Sequence, residues 1–188
     1  VIDSDSQDNY PSMDPVGNII FLPLGWNLIS IPRIQSDSGL SAVLRSLEGF
    51  YNDVQWYDTS DNIDSWKHFR TSKSADLNDL SAIDHTKGFW IYITEPDGIL
   101  FQYPGIQPIS NQTITLHEGW NMVGFPSLRK HNRTVGLNDL TFGQEIELVE
   151  WYDAETQIWH DMGENDIFVP GRGYWVYARN ECEWEVPL

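Results

Sequence analysis

Four aspartates at the start of the chain, Asp3, Asp5, Asp8 and Asp14, are spaced like the oxygen ligands of a loop that wraps a hard cation. They predict calcium as a cofactor; the alternative for the same residues is a solvated acidic linker. A second kind of chemistry belongs to aromatic rings close to turns. Trp66 and Trp159 lie there in polar surroundings. An exposed planar ring can stack on a pyranose face, so these two are the predicted ligand-binding residues. Asp61 and Asp64, in the turn before Trp66, could add cation ligands, with a solvated loop as the alternative.

The residues that usually carry catalysis are not arranged for it. His68, His85, His117, His131 and His160 are scattered, with neither a His-Glu-x-x-His pair nor helical i, i+4 spacing. There is no Gly-x-Ser-x-Gly elbow, and Gly171-Arg172-Gly173 precedes a strand, whereas phosphate cradles precede helices. Cys182 sits between Glu181 and Glu183, whose charges oppose thiolate formation. Two glycosidase-type acids can come from anywhere in a chain, but nothing here selects a pair. The expectation is a non-catalytic protein.

These residues are positioned by a motif that occurs twice. Gly25-Trp26-Asn27-Leu28-Ile29-Ser30-Ile31-Pro32 returns as Gly119-Trp120-Asn121-Met122-Val123-Gly124-Phe125-Pro126. Ile20 and Leu22 answer to Ile114 and Leu116, Trp56-Tyr57-Asp58 to Trp151-Tyr152-Asp153, and Trp66 to Trp159. Lys87-Gly88-Phe89-Trp90-Ile91-Tyr92 answers to Arg172-Gly173-Tyr174-Trp175-Val176-Tyr177. Matched blocks in one order signal an internal duplication. The division is 1–18 as acidic linker, 19–104 as first repeat and 105–188 as second repeat.

Within a copy, short alternating runs bounded by Gly, Pro, Asp and Asn predict strands. Residues 38–48 change to helical period, with Leu40, Val43, Leu44 and Leu47 on one face, Asp37 or Ser38 as N-cap and Gly49 as stop. Residues 136–140 are a reduced counterpart, and a shorter helical hint lies around Leu77–Leu80. The fold class is mainly β: two tandem pseudo-equivalent β-sandwich or open-barrel repeats, each with one short helix, packed together across a brief connector with two prolines. Every tryptophan but Trp184 has a counterpart, and such repeated tryptophans predict core anchors, Trp26 and Trp120 above all. Asn27 and Asn121, just after a glycine, predict turn-closing amides, with ligand recognition as the other reading. Asp58 and Asp153 are turn initiators.

With a net charge of −17 the 188-residue chain is a poor partner for nucleic acid or anionic membranes. One cysteine excludes an intramolecular disulfide, and no apolar run approaches the ~18 residues of a membrane span. The opening at Val1 reads as a cut from a longer protein. Asn111-Gln112-Thr113 and Asn132-Arg133-Thr134 match the N-glycosylation sequon. The paired Gly-Trp-Asn blocks, each followed by a Lys/Arg-Gly-aromatic-Trp-aliphatic-Tyr strand, resemble a duplicated module of large secreted and cell-surface proteins of archaea and bacteria. The stretch from Asp3 to Pro15 resembles a degenerate thrombospondin type 3 calcium repeat, with Gln7 and Ser12 breaking its spacing. That resemblance implies an extracellular accessory module that binds carbohydrate or mediates adhesion, with polysaccharide, cell-surface glycan or neighbouring domains as partners. A purely structural spacer, or a domain packing on a catalytic neighbour, is the alternative.

Overall fold

The computed structural model describes residues 19–188. Asp3, Asp5, Asp8 and Asp14, and with them the predicted calcium loop, lie outside the described residues. Over the described residues the chain is mainly β with two short α-helices. In order it forms β1 (Ile19–Leu22), β2 (Gly25–Ser30), α1 (Leu40–Val43), β3 (Tyr51–Tyr57), β4 (Trp66–Arg70), β5 (Gly88–Ile93) and β6 (Ile99–Gln102). It continues with β7 (Gln112–Leu116), β8 (Gly119–Val123), β9 (His131–Asn132), α2 (Arg133–Leu137), β10 (Ile146–Asp153), β11 (Ile158–Asp161), β12 (Ile167–Phe168), β13 (Tyr174–Ala178) and β14 (Cys182–Val186). Among the described residues no helix is long and apolar enough to cross a membrane.

Two four-stranded antiparallel sheets dominate, in the orders β2-β5-β3-β4 and β8-β13-β10-β11. In each, the Gly-Trp-Asn strand is one edge and the strand of Trp66 or Trp159 the other. Registers agree as well: Trp26 faces Tyr92 and Gln55 faces Trp90 in one sheet, while Trp120 faces Tyr177 and Glu150 faces Trp175 in the other. Two-stranded sheets pair β1 with β6 and β7 with β14, setting Ile20 opposite Phe101 and Ile114 opposite Trp184.

Strand alternation gives each sheet two faces. One face of the first sheet, with Ile29, Val54, Phe89 and Ile91, packs under β1, β6 and the helical segment in one core cluster. One face of the second, with Val123, Val149, Tyr174 and Val176, packs with Leu116, Phe125, Phe168 and Trp184 in another. Leu40, Val43, Leu44 and Leu47 are all buried, as their spacing predicts. The helix around them is shorter than residues 38–48, because the chain tightens after α1 into a 3-10 turn at Arg45–Leu47. Its N-cap is Gly39; Asp37 Oδ1 instead accepts a hydrogen bond from Gly39 N (2.8 Å). Gly49, at φ 86°, ends the segment as expected. The second helix lies earlier than residues 136–140, since Asn132 Oδ1 accepts from Val135 N (2.8 Å) and caps α2. The hint at Leu77–Leu80 is a 3-10 turn, Ala75–Leu77.

The two large sheets meet along β2, β5, β8 and β13 by reciprocal main-chain contacts. Ser30 N donates to Gly171 O (2.9 Å) and Gly124 N to Thr86 O (2.8 Å). Ile29 bridges to Arg172 and Lys87 to Val123. Gly88 and Gly173 sit where these strands cross: a Cβ on Gly88 would lie 2.3 Å from Val123 O, and one on Gly173 2.8 Å from Ile29 O. Side chains larger than hydrogen would therefore separate the sheets.

Candidate functional site

The faces of the two sheets that turn away from the cores carry most of the tryptophans. This corrects the expectation of core anchors. Trp26, Trp90, Trp120 and Trp175 belong to neither core cluster and keep partial exposure, while Trp56 and Trp151 only border them. The wholly buried tryptophan is Trp184, whose indole Nε1 donates to Gly136 O (2.9 Å) and which faces Ile114 as Phe101 faces Ile20. The physical reason is parity. Trp26 does share a face with Leu28, and Leu28 is buried, but against Gly173 of the other sheet and outside the core beneath its own.

On these outer faces the aromatic rings gather in two groups, each drawing from both sheets. In the first, Trp90 lies 5.0 Å from Tyr152 at 67° and 5.6 Å from Trp159 at 78°, while Trp26 meets Trp90 at 6.1 Å and 84°. In the second, Trp175 lies 5.2 Å from Tyr57 and 5.9 Å from Trp66, with Trp120 at 6.0 Å and 89°. Edge-to-face contacts of this kind are favourable beyond the area they bury. Trp66 and Trp159, the two predicted ligand-binding residues, are not brought together; they stand in separate groups and are the most exposed tryptophans, at 37% and 45%.

Trp66 also forms one wall of a groove of about 460 Å³ on the first sheet's β4 edge. Its other walls are polar apart from Leu77, with His68, Arg70, Lys73, Asn78 and Asp79 among them. The segment after the 3-10 turn at Ala75–Leu77 builds the far side. Asp79 Oδ1 accepts from His68 N (2.6 Å), and Asn78 Oδ1 accepts from Arg70 N (2.9 Å) while its Nδ2 donates to Arg70 O (3.2 Å). Arg70 Nε is fixed by Asp53 Oδ2 at 2.8 Å. His68 Nδ1 is buried and has no hydrogen-bond partner among the described residues. Buried polar atoms are nearly always paired, so this orphan is an exception within the fold. The second sheet lacks this segment, so the groove lies in what distinguishes the two. Trp159 instead borders a hollow of about 330 Å³ with Trp26, Gln55, Trp90 and Tyr152.

Other residues singled out by the sequence have structural partners. Asn27 Nδ2 donates to Pro23 O (3.0 Å) and Gly25 O (2.9 Å); Asn121 Nδ2 donates to His117 O (2.8 Å) and Gly119 O (2.9 Å), and its Oδ1 accepts from His117 N (2.9 Å). Both close the turn around a glycine held near φ 98°, at 99° for Gly25 and 97° for Gly119. Asp58 and Asp153 initiate turns by accepting from Ser60 N and Glu155 N, each at 3.0 Å. Asp61 is taken by Lys67 Nζ (2.6 Å) and by the N–H groups of Ile63 and Asp64, which hold its carboxyl down at about 2. Burial, with help from Glu145, Glu183 and Asp139, pushes the Cys182 thiol up. At the sequons, Asn132 serves as the helix cap and Asn111 Nδ2 donates to Glu185 Oε1 (3.1 Å).

Sequence reasoning did not foresee His68, Asn78 and Asp79 as groove residues. The available signal was the extra segment between Trp66 and Lys87 in the first copy. No family model, curated protein or solved structure matches the chain.

Proposed function

We propose that this chain is a non-catalytic, carbohydrate-binding accessory module of a larger secreted or cell-surface protein. The observation that carries this reading is Trp66, a half-exposed indole on a groove whose remaining walls, Leu77 apart, are hydrogen-bonding side chains. A pyranose offers an apolar face for the ring and equatorial hydroxyls for the polar rim. Trp159, the other ring singled out for ligand contact, borders a hollow of different make and takes no part in this glycan site. A structural spacer would be expected to bury its matched tryptophans and present no concave aromatic surface, so the half-exposed rings favour the binding reading. Sequons, acidity and the resemblance to duplicated surface modules support an extracellular address.

The scaffold in this reading is two tandem pseudo-equivalent sandwich-like repeats, 19–104 and 105–188, packed about a pseudo-twofold axis. Equal strand orders and the reciprocal Ser30–Gly171 and Gly124–Thr86 bonds support it. Calcium on Asp3, Asp5, Asp8 and Asp14 belongs to the same proposal; a melting temperature that chelator leaves unchanged would count against it. A glycan array probed with the wild-type chain and with Trp66→Ala tests the function. The reading requires a set of glycans retained by the first and lost by the second; identical profiles, blank or not, would refute it.

A further inference from the structure

We infer that the hollow bounded by Trp26, Trp90, Tyr152 and Trp159 is a cage for a quaternary ammonium group. Its walls are set at steep angles to one another. Tyr152 and Trp159 meet at 5.3 Å and 60°, Trp90 inclines to them at 67° and 78°, and Trp26 to Trp90 at 84°. Rings so disposed form the corner of a box and cannot present one flat platform to a sugar ring. Gln55 is the one non-aromatic side chain lining the hollow, and its Nε2 is engaged by Asp53 Oδ1 (3.2 Å); the other polar groups are the Tyr152 hydroxyl and the indole N–H groups at the ring edges. A lining made mostly of aromatic rings suits a methylated cation, which needs ring faces and no donors.

Charge points the same way. The chain carries −17, and its own cations are placed on other rings: Lys87 Nζ lies 4.8 Å from the Trp56 ring and Arg172 3.7 Å from that of Trp151. No Lys or Arg lines this hollow. At about 330 Å³ the space is at the small end for ligand sites, suited to a compact group. The glycan reading rests on Trp66 and its groove, so either idea can fail alone.

The test is a tryptophan-fluorescence titration of the whole chain with choline and with the neutral alcohol in which carbon replaces the nitrogen. Choline is expected to give a saturable change, the alcohol to bind about tenfold or more weaker, since only the cation gains from the ring quadrupoles. Trp159→Ala should weaken choline about tenfold while Trp66→Ala leaves it unchanged. Trp159→Leu keeps apolar bulk at an exposed position and should erase the preference for choline over the alcohol. Phosphocholine and trimethyllysine, offered separately, tell a choline headgroup from a methylated side chain, and binding of either agrees with the cage. Equal affinity for choline and its neutral twin, full choline binding by Trp159→Ala, or no saturation with any of the cations would overturn it.

Discussion

Glu150 and Asp61 show how neighbouring groups push similar carboxylates in opposite directions. Glu150 lies across from Asp161, and burial together with that like charge raises its carboxyl. Its folded-state value is above the unfolded one, so the penalty is absent at low pH and grows as pH rises through the folded-state value. Glu150→Gln is therefore expected to raise the melting temperature at pH near 7 and to leave it unchanged near pH 3, as a pair of thermal melts would show. Asp61 is the reverse case: held down to about 2 by Lys67 and two N–H groups, it adds stability above the ordinary carboxylate range that is lost as pH falls toward that value. At this scale the sequence is legible where chemistry is local. Trp66 and Trp159 stand by turns and are exposed; Asn27 and Asn121 follow a glycine and close it. The outward turn of Trp26, Trp90, Trp120 and Trp175 was not legible, because the rings they gather around, Trp90 and Trp175, take neighbours from the other sheet.

Strands follow from alternation and from the Gly, Pro and Asp residues that bound them, which is why β2, β5, β8 and β13 fall where the sequence places them. Helices are harder to delimit here. The four leucine and valine positions from Leu40 to Leu47 satisfy an α-helix and an α-helix followed by a 3-10 turn equally well, and the cap is decided by backbone geometry around Gly39. The turn into β8 depends on one amide. Asn121 satisfies His117 N, His117 O and Gly119 O from a buried position, so Asn121→Ala leaves main-chain groups unpaired. A loss of about 1–3 kcal/mol is expected in urea denaturation, far more than from alanine at exposed Thr115. The β4 edge gains its cover from Asn78 and Asp79, a feature visible in the sequence only as unexplained length in the first copy.

For the whole molecule, what the sequence could not reveal is which faces meet. Repetition announces equivalent strands, but the reciprocal contact through Gly88 and Gly173 appears only with both sheets in place. Gly88→Ala drives a methyl into Val123 O, a backbone atom that cannot rotate away. It should cost about 1–3 kcal/mol or more and lower the urea midpoint, whereas Trp159→Ala at the rim should leave the midpoint nearly unchanged. If Gly88→Ala unfolded like the wild type, the sheets would not depend on that contact. The same packing carries Tyr57 and Trp66 onto Trp175, so the aromatic surface is a product of the assembled molecule.

The claim that a glycan is held on that surface is tested most directly by affinity electrophoresis through gels containing single neutral polysaccharides. At least one polysaccharide is predicted to retard the wild-type chain and Trp159→Ala, and to leave the mobility of Trp66→Ala as in a plain gel. Retardation that survives the loss of Trp66, or its absence in every gel, would contradict the account.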